Sequence, residues 1–123
     1  MMGMSNRLVA LLAAAVIASP VLAKPSQFPA PVGVTLLLRD QAIGCYRGYS
    51  FSTSSTLKDV VHHYDRQARK SGLNRSAVQQ RPGFHFSTYN DASGFSLSVA
   101  VNAQSKPTTA TVMYREGKGP IRC

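Results

Sequence analysis

Basic residues crowd the middle of this chain. Arg66, Arg69 and Lys70 fall within about a turn and a half of a helical pattern, and Arg75 follows after a glycine. A guanidinium offers a planar fork of donors that matches phosphate and carboxylate oxygens, so this spacing points to anion recognition. Cations at a helix C-terminus also complement its dipole, but one or two suffice for that. Only Asp65 lies close enough in sequence to neutralise the group. Arg66, Arg69, Lys70 and Arg75 are therefore the candidate anion-binding patch. No aromatic residue interleaves with them, which argues against stacking on nucleic-acid bases.

Other residue types that could do chemistry are sparse. His62 and His63 are adjacent, so on a helix their rings point about 100° apart and cannot grip one metal ion. No metal site and no cofactor motif is expected. His85 stands alone on a strand pattern, between Phe84 and Phe86. A phosphodiester hydrolase of the small ribonuclease type needs a general base, an acid and an arginine for the phosphate. His85 with Arg47 or Arg115 supplies part of that set. The only glutamate is Glu116, near the C-terminal end, so the set is incomplete. A row of hydroxyls, Ser87, Ser96, Ser98, Thr109 and Thr111, reads as the solvated outer face of a sheet.

These residues need elements to hold them. Leu57, Val60, Val61, Tyr64 and Ala68 recur at helical spacing, which predicts one amphipathic helix. Thr56 and Asp59 have capping-box spacing before it, and Gly72 is placed to stop it. Strands are expected at residues 32–38 and 45–53, where Arg47, Tyr49, Phe51 and Thr53 alternate with smaller residues. The stretch from Gly72 to Pro82-Gly83 reads as a linker. Beyond it Phe84, Phe86 and Thr88 alternate, then Phe95, Leu97, Val99 and Val101, then Ala110, Val112 and Tyr114. Short connections make these three strands an antiparallel meander. The expected fold class is α+β: a two-layer sandwich with one amphipathic helix on a mainly antiparallel sheet of about four or five strands.

The N-terminus carries an address. Arg7 precedes an uncharged apolar run over residues 8–17, and Val21-Leu22-Ala23 places small residues before Lys24. Residues 1–23 therefore read as a cleaved signal peptide, too short and too broken by Pro20 for a transmembrane anchor. Residues 24–31, with three prolines, read as an extended arm, and residues 32–123 as one small domain. The expected localisation is periplasmic or secreted. An oxidising compartment pairs cysteines by default, so Cys45 and Cys123, the only two, are expected to form a disulfide.

Composition narrows the partners. Fourteen lysines and arginines oppose five acidic residues, a formal charge of +9. Outside the cytoplasm that balance favours an anionic envelope component or an acidic protein. The reading that follows is an exported, non-catalytic binding or accessory module for such a partner. The alternatives are the small phosphodiester hydrolase above and a structural subunit of an envelope complex.

Overall fold

The computed structural model describes residues 28–115. Within them lie strands β1 (Thr35–Ile43) and β2 (Tyr46–Thr53), helix α1 (Leu57–Lys70), and strands β3 (Asn74–Arg81), β4 (Phe84–Asn90), β5 (Ser96–Asn102) and β6 (Thr108–Arg115). The expected signal peptide, most of the arm and the segment after Arg115 fall outside the described residues, and so does the expected Cys45–Cys123 pairing, since Cys123 does.

The helix forms where its spacing predicts it. Thr56 caps the N-terminus, its hydroxyl accepting from Asp59 N at 3.1 Å. The C-terminus closes as a Schellman motif: Leu73 N donates to Ala68 O and Gly72 N to Arg69 O. Gly72 takes φ +78°, a left-handed conformation that side chains resist. Val60, Tyr64 and Ala68 are buried, Leu57 and Val61 half-buried, and His62 and Arg66 exposed.

The α+β sandwich is as expected, but the sheet has six strands rather than four or five. It is antiparallel throughout, in the order β1-β2-β6-β5-β4-β3. The added strand is β3, in the stretch that reads as a linker. All eight of its residues are exposed. It is an edge strand that the helix does not cover, so burial imposes no alternation on its sequence, Asn-Arg-Ser-Ala-Val-Gln-Gln-Arg. Pro82-Gly83 is the two-residue turn that joins it to β4, Arg81 pairing with Phe84 and Gly83 at φ +74°. At the other edge, β1 runs to Ile43 rather than ending at Leu38, and Leu36, Leu37 and Leu38 remain exposed along it.

One face of the sheet carries the core. Tyr49 and Phe51 from β2, Ala110, Val112 and Tyr114 from β6, and Leu97, Val99 and Val101 from β5 all lie beneath or beside the helix. The strand β4 departs from the expected phase. Its register pairs His85 with Val101, Ser87 with Val99 and Tyr89 with Leu97. Directly paired residues share a face, so His85, Ser87 and Tyr89 turn inward and are buried, while Phe84 and Phe86 sit half-buried on the other side. Ser87 is thus not part of an outer hydroxyl row.

The proline-rich arm is tied to the body at its end. Phe28 is 1% exposed and meets Tyr114 edge-on, with ring centroids 5.6 Å apart. Tyr49 OH donates to Phe28 O, and Tyr64 OH completes the chain by donating to Tyr49 OH at 2.7 Å. Burial pushes both phenols well above the usual tyrosine range, so they stay protonated. His63 Nε2 lies 3.1 Å from Pro29 O. Residues 28–31 therefore cover one flank of the sheet beside the helix, and among the described residues nothing covers the opposite flank, over β3 and β4.

Candidate functional site

The open flank is a groove between α1 and β3, floored by β4. Two adjoining clefts of about 230 Å³ each occupy it, and Asp65 lines both. One is lined by Asp65, Arg69, Leu73, Asn74, Arg75 and Tyr89. The other runs toward the helix N-terminus past Val61, His62 and Lys58, with Gln80 and His85 opposite.

Asp65 organises the first cleft. Its Oδ1 accepts the Tyr89 hydroxyl at 2.7 Å and lies 3.8 Å from Arg75 Nη1; its Oδ2 lies 3.2 Å from Arg69 Nη2. The Asp65–Arg69 pair is the i,i+4 spacing of a helix surface. Arg75 comes from the start of β3, and the chain reaches it through the tight Gly72 stop. Tyr89 is 2% exposed, and burial pushes its phenol up to about 12 despite the Ser87 hydroxyl beside it. The Tyr89 hydroxyl therefore stays protonated and donates to the carboxylate. One carboxylate thus aligns two guanidiniums, each still reaching solvent: Arg69 is 78% and Arg75 49% exposed.

Of the four residues of the expected patch, the structure brings Arg69 and Arg75 together. Arg66 and Lys70 are exposed on the helix and form no ion pair among the described residues. Two members of the cluster were not legible as such. Tyr89 sits on a strand whose phase the sequence misassigns. Asp65 reads as a neutralising neighbour, although its i,i+4 relation to Arg69 was visible.

His85 lies in the second cleft, 2% exposed, with Nδ1 3.1 Å from Gln80 Nε2. Burial, reinforced by the Arg75 guanidinium, lowers its pKa below the ordinary histidine value, with Asp65 acting in the opposite sense. It is a neutral ring at neutral pH. The arginines expected to serve it in a hydrolase are elsewhere. Arg47 rests on Asp40, 3.4 Å away, which also accepts the Tyr114 hydroxyl at 2.7 Å. Arg115 donates to Gly94 O at 3.1 Å. Register puts both at the opposite end of the sheet: Arg115 pairs with Ser96, whereas His85 pairs with Val101. Glu116 lies outside the described residues.

No protein-family model, curated protein or solved structure matches the chain. The chemistry of the groove thus rests on its residues alone.

Proposed function

We propose that this protein is an exported, non-catalytic binding module whose groove between α1 and β3 takes an anionic, envelope-associated partner. The observation that carries the reading is the Asp65 cluster, which holds Arg69 and Arg75 side by side at the mouth of an open cleft. Aligned in advance, the two forks lose less conformational freedom on binding an oxyanion than free side chains would. Arg66 and Lys70 add to the local positive field that attracts the partner. The export reading is supported by the leader-like pattern of residues 1–23, a basic start, an apolar run and small residues before Lys24. The non-catalytic reading is supported by the separation of His85 from Arg47 and Arg115, and by the engagement of Asp65 with three partners.

The test is retention of the protein, starting at Lys24, on anionic phospholipid vesicles and on inorganic phosphate resin across a salt series. Retention should fall steeply as salt rises, because screening shortens to about 8 Å at physiological ionic strength. Replacing Arg69 and Arg75 together by Gln should abolish it, and replacing Arg66 and Lys70 by Gln should only weaken it. Equal retention of the Arg69/Arg75 variant and the parent would defeat the proposal. Cleavage of RNA by the protein, lost on His85→Gln, would establish the hydrolase instead.

A further inference from the structure

Two buried side-chain atoms lack a hydrogen bond among the described residues: Asp40 Oδ1 and His85 Nε2. The first is compensated, since Arg47 Nε lies 3.4 Å from it. The second is not. Gln80 Nε2 can only donate, so His85 Nδ1 accepts from it and the ring proton sits on Nε2. A buried N–H without an acceptor is rare in native domains and calls for a partner such as an ion, a ligand or water.

The surroundings of that N–H define what fits. His85 lines a cleft together with Lys58, His62 and the half-buried side chains of Leu57 and Val61. A donor and a cation together select an oxyanion, and the apolar wall strengthens both interactions by lowering the local dielectric. Asp65 is the only acidic side chain in the lining, and it is already engaged by Tyr89, Arg69 and Arg75. Its carboxylate stands between the two clefts and repels negative charge placed midway.

We propose that His85 Nε2–H and Lys58 form a second oxyanion subsite, so that the groove binds ligands with an acidic group at each end and an uncharged spacer between. One end rests on Arg69 and Arg75, the other on His85 and Lys58. The inference rests on the anion-binding reading of the groove and adds its substrate class. His85 and Tyr89, the latter paired in register with Arg75, are four positions apart on β4, about 13 Å of strand, which sets the scale of the spacer. The neutrality of His85, imposed by burial and Arg75, makes it a donor that needs no protonation.

The experiment is calorimetric titration with linear α,ω-dicarboxylates and α,ω-bisphosphates of graded length. Inorganic phosphate serves as the single-ended control and tripolyphosphate as the control charged throughout. The nitrogen resonances of the His85 ring are followed in parallel. Affinity should peak at the length that bridges about 13 Å and exceed that of inorganic phosphate. Lys58→Gln and His85→Phe should each reduce it about tenfold, the scale of one charge-assisted hydrogen bond, while leaving phosphate binding at Arg69 and Arg75 unchanged. The His85 Nε2 signal should move with the dicarboxylate or bisphosphate. Lys58 is exposed, so its variant tests the subsite even if His85→Phe fails to fold. A static His85 signal, or equal affinity for single-ended and bridging ligands, would mean that Nε2 is met by water only. Tighter binding of tripolyphosphate than of every spaced ligand would also overturn the inference. In each of these cases phosphate binding that still depends on Arg69 and Arg75 leaves the broader reading standing. Loss of that dependence would remove both.

Discussion

Replacing Asp65 with alanine tests whether the cluster it organises is a structural unit. The carboxylate is 18% exposed on its side chain and meets three partners. Its bond from the buried Tyr89 hydroxyl, at 2.7 Å, is charge-assisted and contributes about 1.5–2.5 kcal/mol. The Arg69 pair involves a guanidinium 78% exposed and the Arg75 pair one 49% exposed at 3.8 Å, so each contributes about 0.3–0.5 kcal/mol. Alanine returns about 0.5 kcal/mol of helix propensity. The net loss is about 2 kcal/mol, a fall in Tm of about 8–16 °C for a domain of this size. A double-mutant cycle with Tyr89→Phe isolates the main term, because phenylalanine keeps the ring and removes the hydroxyl. In the Tyr89→Phe background, Asp65→Ala should cost less than about 0.5 kcal/mol, since only the arginine pairs and the propensity gain remain. Urea denaturation of the four proteins at neutral pH gives the coupling. A coupling near zero, or Asp65→Ala melting within a degree or two of the parent, would refute the reasoning and show the carboxylate to be solvated.

The remaining expectations are shorter. His85 titrates lower in the folded than in the unfolded chain, so the stability it leaves intact above its unfolded value of 6.5 is lost as pH falls toward its folded value; His85→Phe should flatten urea midpoints measured between pH 7 and pH 5, roughly the histidine window. Val60→Asp should unfold the domain, because Val60 is 1% exposed and the new charge has no partner, whereas His62→Asp should leave the far-ultraviolet spectrum and Tm nearly unchanged. Phe28→Ala should cost about 3–5 kcal/mol, the scale of a buried phenylalanine, which thermal melts would register as loss of the arm's anchorage. Intact-mass analysis should find a mature N-terminus at Lys24, and non-reducing peptide mapping a single intrachain link between Cys45 and Cys123.

The sequence alone determined the elements whose own residues are buried on one face. Leu57, Val60, Tyr64 and Ala68 recur at the helical period, and Thr56 and Gly72 mark its ends, because caps and periodicity are local properties of the chain. The alternation of Leu97, Val99 and Val101, and of Ala110, Val112 and Tyr114, likewise fixed β5 and β6, since a strand buried on one face must alternate. Tertiary structure decided the rest. Strand β3 has no signature in the sequence, because an exposed edge strand is held by backbone pairing with β4, which is blind to side-chain pattern. The pattern of β4 points to the wrong phase, because Phe84 and Phe86 compete with His85, Ser87 and Tyr89 for the inner face. Pairing with β5 settled that competition, and Asp65 and Gln80 provided partners for the Tyr89 hydroxyl and the His85 ring. The basic stretch was visible as a cluster of charge. Its division into Arg69 and Arg75 on one carboxylate, with Arg66 and Lys70 outside, depended on where the edge strand lies beside the helix, a distance that no local pattern encodes.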